Sequence, residues 1–408
     1  MNEHFRALRH RDFRLFVSGQ VISLMGTWMQ SVAQSWLVYR LTQSTVWMGT
    51  LGFCNHIPVL LLGPIAGLAA DRFNRRRIVT VAQCAFLVQA LTLAALTLSE
   101  RVTIGWLIPL AALWGVINAF EIPARQSMYI HLVGKEDLLN AIALNSMTFN
   151  AARVVGPSIG GFFVAAFGEG TCFLVNGISY LAVIWSLFSM SSGEPARSGT
   201  AAFAKHLREG FAYAWTHPGV RTLLGITALA NLSTTPVSVL APVFADRIFH
   251  RGSEGLGLLL GAMGAGAIVG TVVLARLRGT SALAGVILRS AIQSSLSLAL
   301  FALSPWFGLS LMAMALMGFG IFRMLSAINT TIQSTIEDDY RGRIMSLYTM
   351  TVVGMLPLGS LAGGAAAEWI GVRQTLLASS LLGLAAALLW AWKQPAVTNA
   401  ENKGTLAV

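Results

Sequence analysis

Apolar runs of about 20 residues, each long enough to cross ~30 Å of hydrocarbon, recur along the whole chain with short polar breaks between them. The pattern predicts spans near 13–38, 46–70, 77–98, 104–132, 138–167, 171–190, 219–244, 255–275, 282–304, 307–335, 343–369 and 374–392. The span that follows Trp106 has a soft end, anywhere from Ile122 to Leu132. Twelve spans make this an all-α polytopic membrane protein, because only helices that satisfy their own backbone can repeat this way through lipid. A long first span that runs on directly from the basic stretch MNEHFRALRHRDFRLF argues against a cleavable signal peptide.

Composition sharpens the picture. Of 408 residues 55% are hydrophobic and only 11% charged, against roughly a quarter charged in a soluble domain. The net charge of +11 would suggest nucleic acid if it were clustered on a soluble surface. Instead, with the N-terminus inside, the cytoplasmic segments collect 19 of the 28 Lys and Arg, and the opposite face only five. This positive-inside asymmetry places both termini in the cytoplasm and gives the basic residues to orientation and anionic lipid. The expected partners are therefore the bilayer and a small molecule, with no nucleic acid. Cys54, Cys84 and Cys172 fall in apolar segments without ligand spacing, so they read as packing residues rather than metal ligands.

The longest polar stretch, 191–218, begins as a Ser/Gly/Pro linker and continues from Ala202 to Trp215 as an amphipathic surface helix. It divides the chain into six-helix bundles at 1–190 and 219–408. Sliding one half on the other by 203 residues places Gly63 and Gly67 on Gly266 and Gly270, and Gly115 on Gly318. The same offset sets 156–161 (GPSIGG) on 359–364 (GSLAGG). Several sets at one offset indicate a duplicated unit, and duplicated transporter folds bind their substrate where the repeats meet.

The second span ends in GLAADRFNRRR at 67–77, which resembles the GxxxDRxGRR signature of the major facilitator superfamily. Asn74 replaces the usual glycine, a residue that tolerates a left-handed turn. The resemblance implies a cytoplasmic gating motif of Gly63, Gly67, Asp71, Arg72, Arg75 and Arg76. In it Asp71 would cap the eleventh helix and pair with the loop arginines, and the two glycines would allow a close helix approach. Leu274 stands opposite Asp71 in the repeat, so such a latch is one-sided. Gly156, Pro157, Gly160 and Gly161 resemble the end of the facilitator antiporter motif, which implies export. The N-terminal stretch FRALRHRDFRLF, IPARQ at 122–126 and YRGRIMSLY at 340–348 extend the likeness over nearly the whole chain. They resemble the branch holding the enterobactin exporter, macrolide efflux proteins and related drug–proton antiporters. One departure is the lack of an arginine between Pro109 and Trp114, where many drug exporters carry one.

Charges within spans mark candidate chemistry. Glu121 is the sole acid well inside an apolar run, and retaining an ionisable group there costs roughly 2.5–3.5 kcal/mol. Glu121 or Arg125 is expected to reach Arg153 on the next helix, with Arg323 in the matching part of the tenth. The group reads as proton-coupling or substrate-anchoring; a fixed structural ion pair is the alternative. His56 is a further protonatable candidate. Gln30, Gln34, Asn118, Asn150, Asn231 and Gln293 are candidate cavity linings that also suit interhelical hydrogen bonding. Arg289 lies near enough to a helix end to snorkel. No P-loop, triad or metal-ligand cluster appears, so neither an ATP-driven pump nor an enzyme is expected and no cofactor is called for. The expected protein is a monomeric, proton-driven secondary exporter of a small amphipathic molecule (a siderophore, macrolide or other drug) in a bacterial cytoplasmic membrane. An importer or uniporter is the nearest alternative, and a non-transporting receptor or scaffold the more distant one.

Overall fold

The computed structural model describes residues 3–191, 212–277, 282–336 and 338–404, and all regular structure among them is helical. A 3-10 segment, Glu3–Arg9, leads into α1 (Arg11–Thr42), α2 (Thr45–Arg72), α3 (Arg75–Leu98) and α4 (Ile104–Val133). The 52-residue helix Leu138–Ser189 is broken at Gly168 and forms α5 (138–167) and α6 (169–189). Then follow α7 (Pro218–Val243), a π-helical turn (Phe244–Ile248), α8 (Gly252–Ala275), α9 (Leu283–Leu303), α10 (Phe307–Thr335), α11 (Asp338–Ile370) and α12 (Val372–Gly404). Ten helices of the described residues are long and apolar enough to cross a membrane, the broken one counting once. The twelfth is α1, long enough at 32 residues but diluted by Gln20, Gln30 and Gln34. The soft boundary after Trp106 resolves at Val133, since α4 continues through Pro123. The expected linker helix falls largely on 192–211, outside the described residues.

Two glycines make the repeat visible in the backbone. Gly168 (φ +79°) ends α5 and Gly371 (φ +88°) ends α11, both in a region that L side chains rarely adopt. They are separated by the same 203 residues that align the rest. Asn74 does not take the left-handed turn expected of it. Its φ of −63° and ψ of 114° are extended, and its side chain accepts the Arg77 N–H at 3.0 Å, capping α3.

The chain forms two compact units. Unit 1 comprises Met1–Trp47, Cys54–Ala201 and Phe244–Gly261; unit 2 comprises Met48–Phe53, Ala202–Val243 and Ala262–Val408. Inside unit 1, α5 lies against α1 so closely that a Cβ on Gly156 would stand 2.5 Å from the Trp28 Cβ, and one on Gly160 2.8 Å from the Met29 Cα. Gly161 faces the opening of α8, its would-be Cβ 2.8 Å from the Gly257 Cα, and Ser253 Oγ donates to the Gly161 carbonyl at 3.1 Å. Unit 2 repeats the device, with Gly363 on Pro236 of α7 and Gly364 on Gly49 at the start of α2. Gly266 and Gly270 likewise seat α8 on Ala315 and Phe319 of α10. Their counterparts Gly63 and Gly67 have nothing within 4 Å among the described residues, so the close approach expected of them is not made here.

Candidate functional site

Glu121, Arg125 and Tyr129 recur every fourth residue along α4 and therefore share one face. Glu121 is 4% exposed, and Arg125 Nε donates to its Oε1 at 2.8 Å. Arg125 also donates to the Tyr129 hydroxyl at 3.2 Å and reaches Asn145 Oδ1 of α5 at 3.5 Å. Tyr129 in turn donates to Asn145 Oδ1 at 2.6 Å. The chain of bonds holds one negative and one positive charge in nearly dry surroundings, where each depends on the other.

The expected reach to Arg153 is not made. Glu121 is satisfied within its own helix, and the Arg153 guanidinium lies 5.7 Å from the centre of the Trp28 ring on α1, itself edge-on to Phe149. Arg323 on α10 donates to Ser290 Oγ at 2.8 Å and Gln293 Oε1 at 3.1 Å of α9, over the face of Phe319. His56 is half-buried within α2, and its ring makes no hydrogen bond with a described residue.

The polar residues expected to line a cavity divide. Gln30 is 3% exposed and is instead interhelical glue: it accepts from Asn176 Nδ2 at 2.7 Å and donates to Gln89 at 3.4 Å. Gln34 and Asn231 are also buried, Asn231 donating back to the Thr227 carbonyl. Asn118 and Asn150 are half-buried and donate to carbonyls one turn earlier, at Trp114 and Ser146. Gln293 sits beside a surface groove in unit 2.

At the arginine-rich end, the gating motif is tied down by its basic members. Arg75 donates to the Ala70 carbonyl at 3.2 Å and bonds His131 of α4, while Arg76 holds the Leu187 and Met190 carbonyls at the end of α6. Asp71 and Arg72 are exposed, and Asp71 forms no ion pair with a described residue. The opposite end of unit 1 carries a second polar cluster. Tyr39 donates to Asp246 at 2.7 Å, Arg40 pairs with Glu169 at 2.7 Å, and Arg247 donates to Gln43 at 2.8 Å. The sequence reading missed this cluster because each member sits at a helix end, where a charge needs no special explanation. Among the described residues, no three His, Cys, Asp or Glu side chains gather as metal ligands.

Residues 3–406, nearly the whole chain, match the major facilitator family described as transmembrane secretion effector. The chain belongs to this family. It is a membrane transporter of the major facilitator type. The staphyloferrin A transporter of Staphylococcus aureus is 26% identical over 377 residues, covering 91% of this chain and 92% of the relative. The enterobactin exporter of Shigella boydii is 27% identical over 383 residues, with 91% and 88% covered. Among solved structures, a bacterial homolog of the human lysosomal transporter Spinster, inward-facing and occupied, matches with a TM-score of 0.74 at 14% identity. That match covers 97% of this chain and 98% of the other, and it carries the fold alone. The family places the α4 network and the arginine-rich motif in a membrane transporter.

Proposed function

We propose that this transporter is a proton-driven exporter, carrying a small amphipathic molecule of the siderophore or drug class out across a bacterial cytoplasmic membrane by alternating access. The arginine-rich end then faces the cytoplasm. The observation that carries the coupling is the buried Glu121–Arg125 pair. It is the one carboxylate at mid-span depth, and its charge is balanced by a single guanidinium at 2.8 Å. When the network opens toward one side, a proton takes the place of Arg125 on Glu121; when it closes, Arg125 returns and the proton leaves. A protonated Glu121 is neutral and can lie unpaired in hydrocarbon, while Arg125 keeps its charge and its bonds to Tyr129 and Asn145. The named relatives, one an exporter of enterobactin and one a transporter of staphyloferrin A, support the direction and the cargo class.

The test is flux in liposomes containing the purified protein alone, oriented with the arginine-rich end outward. Enterobactin, staphyloferrin A and a lipophilic cation serve as probes. An acid-inside gradient should drive at least one probe inward against its own gradient, and a protonophore should abolish the accumulation. Uptake driven by an acid-outside gradient would indicate an importer. Flux that ignores the gradient would indicate a uniporter, and no flux with a broader panel would point to a receptor or scaffold.

A further inference from the structure

Unit 2 carries a groove apart from the α4 network. It has a volume of about 420 Å³ and lies between α9 and α10, lined by Arg289, Ile292, Gln293, Leu296, Leu300 and Leu316 among others. Its two ends differ. At the end nearer the start of α9, Arg289 is exposed, and Gln293, one turn on, is held by Arg323. Gln293 links the two arginines, lining the groove beside Arg289 and accepting from Arg323 at 3.1 Å, and no carboxylate occurs anywhere between Leu283 and Thr335 on either helix. Beyond Gln293 the wall is apolar apart from the buried Ser297 and faces outward, with Leu296 55% and Leu316 40% exposed.

The dimensions suit one molecule. Arg289 lies roughly 9 Å along α9 from Leu283, about where a snorkelling arginine meets lipid phosphate. From Arg289 to Leu300 the helix rises roughly 16 Å, close to half of a ~30 Å hydrocarbon core. We propose that this groove is a binding site for an anionic phospholipid of the leaflet at the arginine-rich end. The phosphate sits at Arg289 with Arg323 behind it, and one acyl chain lies along Ile292, Leu296, Leu300 and Leu316. Two uncompensated guanidiniums select a negative headgroup over a zwitterionic one, and the apolar wall selects a lipid over a free anion. The inference stands whether or not the transporter is proton-coupled.

Native mass spectrometry of the purified full chain in mild detergent tests it, with phosphatidylglycerol as the probe, phosphatidylcholine as the neutral control and glycerol phosphate as the headgroup without chains. Phosphatidylglycerol should be retained over phosphatidylcholine, and Arg289→Gln should weaken retention about fivefold, as expected for one basic contact to an anionic lipid. Leu296→Trp, which fills the groove and keeps both arginines, should weaken it as well. Arg373→Gln, at the opposite end of the span, should change nothing. Equal retention of the two lipids, or retention unaffected by both Arg289→Gln and Leu296→Trp, would overturn the site. Competition by glycerol phosphate at equal concentration would also overturn it, since an anion alone would then suffice.

Discussion

Glu121 and Arg125 are 6% and 11% exposed at their side chains, so each is the main solvent of the other. Removing one partner of such a pair costs about 3–5 kcal/mol, because the survivor stays buried and uncompensated. Arg125→Gln should therefore lower the unfolding midpoint sharply, whereas Glu121→Gln with Arg125→Gln should recover most of the loss. A double-mutant cycle by thermal unfolding in detergent measures this, and simple additivity of the two changes would mean the residues do not act as a pair. Function should separate from stability: Glu121→Gln is expected to abolish proton-driven accumulation while leaving downhill exchange of the same substrate intact. Accumulation that survives in Glu121→Gln vesicles would make the carboxylate structural. Glu121 was legible in the sequence because a lone acid in an apolar run must be either paired or used. The expected reach of Glu121 or Arg125 to Arg153 is not made, and the fourfold spacing of Glu121, Arg125 and Tyr129 puts all three on one face instead. Arg153 lies over the Trp28 ring, and a contact with a ring face leaves no spacing signal.

Helices are set by signals of unequal clarity. Lengths and ends were readable because lipid thickness fixes the first and polar breaks the second; α5, over 138–167, agrees with its expected span to the residue. Side-chain use at the ends was less readable, as Asn74 shows by capping α3 rather than turning left-handed. Small residues were ambiguous too. Gly63 and Gly67 match Gly266 and Gly270 in sequence, yet only the latter pair meets a neighbouring helix, since a glycine permits an approach without requiring it. Gly161→Val tests the approach that is made. The added side chain would meet the Gly257 backbone, so the packing of α5 on α8 must shift, and flux should fall at least about tenfold with expression retained. Wild-type flux in Gly161→Val would show that the contact is incidental. At the arginine-rich end, we propose that Asp71 acts in a state other than the one described, latching the start of α11. Asp71→Asn should then reduce transport, leave membrane insertion intact and alter state-selective cysteine crosslinking on that side. Unchanged crosslinking together with unchanged flux would remove the latch.

At the scale of the molecule, the duplication explains most of what was legible. An offset of 203 residues found from glycines alone also relates Gly168 to Gly371, the two left-handed breaks that end α5 and α11. Hydrophobicity and repeats are written in many residues at once, so they survive the loss of any one signal, and they carried the fold, while short motifs such as that at 67–77 carried the family resemblance. Cargo and coupling are written in a few side chains, and polar groups such as Gln30 serve packing as readily as binding. The central claim is that this chain alone converts a proton gradient into outward movement of a small amphipathic molecule. Flux into liposomes with the arginine-rich end outward, at a fixed acid-inside gradient and with the siderophore and cation panel, measures it directly. Accumulation above the external concentration that collapses on adding a protonophore is the expected result. Equilibration of every probe at equal concentrations inside and out, with or without the gradient, would contradict it.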